Sequence, residues 1–130
     1  LACALALARA GVRSVLLEQA VAFGEVGAGL QLGPNAVRVL HDWGLTEAVQ
    51  HVAAFPDELQ VRDTRQGQAL GLLRLGDLAR ARYGQPYATL HRADLHQPLL
   101  NQTATDSACA KPLGKKNVLQ VHHRDADCRR

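Results

Sequence analysis

Apolar and polar positions along the chain fall into blocks of different period, and each block predicts an element. Residues 2–10, ACALALARA, are strong helix formers, and Gly11 stands where a helix ends in a left-handed turn. In the adjoining VRSVLLE, Val15, Leu16 and Leu17 form a short unbroken apolar run. That is the pattern of a strand covered on both faces in a parallel sheet, and Glu18 closes it. A helix, a glycine, a buried strand and a terminal acid make the second half of a βαβ unit. Its first strand and turn would lie upstream of Leu1.

Residues 19–33 read as loop, with Gly24, Gly27, Gly29 and Gly33 allowing unusual backbone angles. Pro34 suits the first turn of a helix, where it has no N–H to leave unpaired. Val37, Leu40 and Trp43 give that helix an apolar side, Gly44 stops it, and Thr46 caps a short helix over 47–52. LQVRD (59–63) and QALGLL (68–73) alternate as a hairpin about Gln66-Gly67. A short helical piece after Asp77 carries Arg80 and Arg82. YATLHR (87–92) is a strand running into the helix start ADLHQ, and Pro98 should break or kink that helix.

Composition narrows the class. With 130 residues, 47% of them hydrophobic, the chain suits one domain with a real core. No apolar run approaches the roughly 18–20 residues of a membrane span, and LACALALA lacks the basic flank of a signal peptide. Three cysteines, Cys3, Cys109 and Cys128, form no disulfide framework, so a cytoplasmic setting is expected. Cys3 is most simply a small helix residue packed inside. Residues 1–100 hold nine Arg against nine Asp or Glu and no Lys, so the formal charge of +3 comes from residues 101–130. A nucleic-acid surface would spread over a folded face, and none is expected here.

The candidate chemistry is sparse. Glu18 ends the strand at the place where dinucleotide-binding folds put an acid that accepts the adenosine ribose hydroxyls, or it is a solvent-facing strand end. The turn from Gly27 to Gly33, leading into Pro34-Asn35, brings backbone N–H groups and a helix start near a ligand, or it is a loop needing positive φ. It is not a Walker A loop, since it has no Gly-Lys-Ser/Thr. Arg92 sits where a strand meets a helix, able to reach a phosphate or ring edge through its donor fork, or to pair with Asp94. Cys109, His122, His123 and Cys128, spaced C-x12-H-H-x4-C, fit no usual zinc module, and no metal is expected.

Taken in order, LLEQA, FGEVGAGLQLGPNAVRVL, WGL and YGQPYATLHRADLH resemble the FAD-dependent aromatic-ring hydroxylases. The branch they resemble most is that of the 3-hydroxybenzoate 6-hydroxylases and salicylate hydroxylases. The blocks GAGLQLGPNA and HRADLH carry the resemblance, which covers residues 1 to about 100. It implies an α/β fold, a partial Rossmann-like FAD-binding domain over residues 1–100. The first strand and Gly-rich turn are missing, and a β-hairpin makes an excursion from the domain. It implies that Glu18 binds the adenosine ribose, that Arg92 contacts FAD, and that Gly29, Leu30 and Gln31 run past the flavin. A histidine fills the Gln31 position in the related 6-hydroxynicotinate hydroxylases. Glutamine here favours a hydroxybenzoate-type substrate and leaves the catalytic residues unassigned.

The resemblance implies NAD(P)H as co-substrate, with dioxygen and a small aromatic acid as the molecules acted on. Residues 101–130 match nothing in the family and lack a long apolar period, so they are expected to form a disordered tail. A second reading is an inactive truncated remnant, or a nucleotide-binding module without turnover.

Overall fold

The computed structural model describes residues 1–18, 28–106, 111–112 and 117–121. Its elements follow in the order α1 (Ala2–Arg9), β1 (Ser14–Glu18), β2 (Gly29–Leu32), α2 (Pro34–Asp42), α3 (Thr46–Val52), β3 (Glu58–Arg62), β4 (Ala69–Arg74), α4 (Gly76–Tyr83), β5 (Ala88–His91), α5 (Arg92–Asp106), β6 (Lys111–Pro112) and β7 (Asn117–Val121). The chain divides into two compact units, one of Leu1–Val26 with Ala93–Arg130 and the other of Gly27–Arg92.

In the first unit, α1 ends as its sequence predicts. Gly11 takes a φ of 76°, its N–H donates to the Ala8 carbonyl, and the Val12 N–H reaches back to Leu7 at 2.8 Å. This Schellman arrangement satisfies carbonyls that would otherwise be orphaned at the helix end. The helix buries Ala4, Leu5 and Ala8, and packs against β1 and β7. Cys3, expected inside, is exposed because it lies off the side that those residues define.

β1 departs from its expected setting. It pairs antiparallel with β7, Leu16 opposite Leu119, and β7 pairs in turn with β6. Ser14 and Leu16 are half-buried while Val15 and Leu17 are 54% and 74% exposed, so only one face is packed. Every strand pairing among the described residues is antiparallel, and the parallel Rossmann pairing is not found among them. A continuous apolar run does not by itself choose the direction of its neighbour.

α5 continues through Pro98 and past residue 100. Proline removes the hydrogen bond to the carbonyl four residues back, but one missing bond does not unwind a helix held elsewhere. Here Leu95, Leu99 and Thr103, four residues apart, form a buried stripe, and Thr103 Oγ1 donates to the Leu99 carbonyl at 2.7 Å. The helix runs past residue 100, and β7 lies beyond it.

The second unit is built around α2. Pro34 opens the helix after an extended Gly33, with φ −68° and ψ 165°. Gly44, at φ 79°, closes it: its N–H donates to the His41 carbonyl and the Leu45 N–H to Leu40, both at 2.9 Å. Leu40 and Leu45 are both buried and join Val37, Val49, Leu75, Ala79, Ala88 and Leu90 in the unit's core. Thr46 is the first residue of α3 rather than its cap, a place taken by Leu45 without a side-chain bond.

β3 and β4 form the expected hairpin, with Gly67 at φ 67° and the Asp63 carboxylate accepting from the Arg65 and Gln66 N–H groups. The stretch read as loop contains a strand, β2, which pairs antiparallel with β5. Gly29 and Gly33 therefore hold no left-handed angle, while Gly24 and Gly27 lie outside the described residues.

Candidate functional site

The β2–β5 ladder gathers most of the candidate residues. Gly29 stands opposite His91, Leu30 opposite Leu90, Gln31 opposite Thr89 and Leu32 opposite Ala88. Arg92 comes directly after His91, so the sheet end that holds Gly29 also delivers the arginine. Gly29, Gln31 and Arg92 are exposed, and Leu30 is half-buried against the ladder.

Glycine at position 29 is not required by the fold around it. Its φ is not positive, and among the described residues a Cβ there would meet only the Leu90 carbonyl oxygen, at an ordinary 3.8 Å. A glycine that its own surroundings do not demand leaves room for something to approach the backbone. Arg92 offers a planar fork of donors beside it. No ion pair joins Arg92 to Asp94 among the described residues.

Gln31 has a partner that sequence reasoning missed. The Tyr87 hydroxyl donates to Gln31 Oε1 at 2.9 Å. No local signal marks Tyr87, because its role depends on the register of β2 against β5 and β2 reads as loop. Tyr87 also borders an apolar cavity of about 480 Å³, with Gly33, Pro34, Leu73, Leu78 and Tyr83 among its walls.

Glu18 belongs to the other unit, where it ends β1 opposite Asn117. The candidate metal residues Cys109, His122, His123 and Cys128 lie outside the described residues. The described residues hold no cluster able to bind a metal ion, and no helix among them is long and apolar enough to cross a membrane.

An exposed glycine on β2, a carboxamide farther along it and a guanidinium just past the end of β5 are suited to a polar ligand. Comparison with known proteins bears on which one. The chain is 44% identical over 100 residues to a 3-hydroxybenzoate 6-hydroxylase of Polaromonas naphthalenivorans, a match covering 77% of this chain and 25% of that protein. Relatives of this chain carry the names of hydroxylases and monooxygenases of aromatic acids. A 3-amino-4-hydroxybenzoate 2-monooxygenase of Streptomyces platensis is 42% identical over 100 residues, 77% of this chain and 25% of its own length. A 6-hydroxynicotinate 3-monooxygenase of Pseudomonas fluorescens is 34% identical over 130 residues, covering 95% of this chain and 34% of that protein. That alignment carries the similarity past residue 100, into the segment for which the sequence suggested no match. No family model matches the chain. The chain spans about a quarter of the length of the first two relatives.

Proposed function

We propose that this chain is the FAD-binding portion, centred on residues 1–100, of a cytoplasmic aromatic hydroxylase. The full-length protein would use NAD(P)H and dioxygen to hydroxylate a small aromatic acid such as a hydroxybenzoate. The observation that carries the reading is the β2–β5 register, in which Gly29 stands at the sheet end that Arg92 follows, with Leu30 and Gln31 farther along the same strand. The similarity to 3-hydroxybenzoate 6-hydroxylase over 100 residues supports the same assignment.

The residues present fit a flavin. Gly29 lets the backbone come close to a flat ring, since no side chain stands in the way. Leu30 and Gln31 continue along it, one apolar and one polar. Arg92 supplies directional donors to an acceptor edge or a phosphate, where a charged donor is stronger than a neutral one. Glu18 would accept the ribose hydroxyls as a carboxylate at a strand end. The flavin supplies the redox and oxygen chemistry, and the protein's part is to bind and orient it.

Glutamine at position 31, where the resemblance puts histidine in 6-hydroxynicotinate hydroxylases, directs the substrate toward hydroxybenzoates. The test is the full-length protein that contains this chain. It should purify yellow and oxidise NAD(P)H with hydroxylated product when given a hydroxybenzoate, and far less with 6-hydroxynicotinate. A colourless protein that takes up no FAD would overturn the assignment.

A further inference from the structure

We propose that Tyr87 is a positioning residue for Gln31, fixing its carboxamide as a hydrogen-bond donor toward an acceptor atom of the bound ring system. The inference rests on the flavin reading of Gln31 and names a residue and a polarity that the reading leaves open.

Sheet geometry puts the two together. Gln31 is directly opposite Thr89. Tyr87 lies two residues before Thr89, on the same face, and diagonal neighbours in an antiparallel pair are within reach of long side chains. Thr89 itself is turned to another partner, since its hydroxyl donates to the Ala54 carbonyl at 3.4 Å and its backbone bridges the same residue. Tyr87 is the side chain that meets Gln31, through the 2.9 Å bond to Oε1. The ring is half-buried and borders a cavity that Pro34 and Tyr83 also line, so the bond to Gln31 is the contact that fixes its hydroxyl.

A carboxamide has an acceptor end and a donor end that exchange by a half-turn about its last bond. An exposed glutamine with no fixed partner samples both. Once the tyrosine proton occupies the oxygen, the NH₂ is the end turned to a ligand. Gln31 then selects for an acceptor, such as a ring carbonyl, and against a donor. This is preorganisation of a single polar contact.

The first measurement uses the 130-residue chain and needs no flavin. Tyr87→Phe should shift the Gln31 side-chain amide signals in a ¹H–¹⁵N spectrum while the β2 and β5 backbone signals stay in place. Unchanged side-chain signals would show that the bond is absent and overturn the proposal.

The second uses FAD titrated into the full-length apoprotein. Gln31→Leu reports on the flavin reading alone, and an unchanged dissociation constant would overturn that reading and the positioning role with it. With binding weakened, Tyr87→Phe should cost about 3- to 10-fold, the scale of one neutral hydrogen bond. Gln31→Glu keeps the acceptor and loses the donor, so it should bind at least as poorly as Gln31→Leu. The double variant Tyr87→Phe/Gln31→Leu should bind no worse than Gln31→Leu, because the tyrosine acts through the glutamine. Additive losses, or wild-type affinity in Tyr87→Phe or Gln31→Glu, would overturn the positioning role while leaving Gln31 at the flavin.

Discussion

Arg92 enters α5 directly after the β2–β5 pair ends, so the hydrogen-bonded ladder fixes where its backbone stands. In the full-length protein, Arg92→Ala should lower flavin retention and divert NAD(P)H oxidation from hydroxylation to hydrogen peroxide, because a badly seated flavin wastes its oxygen chemistry. Arg92→Lys should recover only part of the coupling, since a point charge cannot reproduce the planar fork. Peroxide yield measured against product checks both, and full coupling in the two variants would make Arg92 a surface residue. Glu18→Ala should weaken FAD binding by about 1–3 kcal/mol, as removal of a charged hydrogen-bond partner does. An unchanged flavin dissociation constant would return Glu18 to an ordinary strand end. As proposed site residues these two were visible in the sequence, an acid and an arginine at strand ends standing out by type and place. Tyr87 was not, since a tyrosine ahead of a strand acquires a role only when the opposing strand is known.

Elements closed by local chemistry were legible as well. Gly11 and Gly44 ended their helices in the left-handed angle that only glycine takes without cost, and Gly67 with Asp63 turned the hairpin. Gly44→Ala should therefore destabilise the chain by about 1–2 kcal/mol, the cost of holding an L-residue in that conformation. A urea denaturation midpoint that does not move would show that the turn relaxes. β2 was not legible: its glycine and glutamine depress strand propensity, and its partner β5 is distant in sequence. Pro98 misled in the other direction. A proline within a helix is read as a break or a kink, yet no break occurs, because the buried stripe of Leu95, Leu99 and Thr103 keeps α5 continuous through it. Pro98→Ala should restore the hydrogen bond to the Asp94 carbonyl and stabilise α5 by up to about 3 kcal/mol. Raised helicity by circular dichroism together with a higher denaturation midpoint would confirm it, and a lower midpoint would mean that the ring packs better than the bond it displaces.

The whole chain raises the question of how far its folded part extends, and β1 decides it. No G-x-G-x-x-G turn occurs in the 130 residues, and the pyrophosphate of a dinucleotide rests on that turn. The chain alone should therefore emerge from gel filtration without stoichiometric flavin, read from its visible absorbance. Its stability rests on other pairings. β1 finds its partner in β7, Ser14 opposite Val121 through Glu18 opposite Asn117. If those bonds hold β1, the chain beyond residue 100 is part of its architecture. If residues 1–100 form a boundary of their own, the same segment is dispensable. Truncation after Asp106 separates the two, because it keeps all of α5 and removes β7. A strand stripped of its hydrogen-bonding neighbour presents unpaired backbone groups to water, and its amides exchange at rates near those of a free chain. Loss of protection at residues 14–18 in the truncated chain, with residues 88–91 of β5 still protected, is the expected result. Equal protection at residues 14–18 before and after truncation would show that β7 contributes nothing to β1 and support a boundary at residue 100.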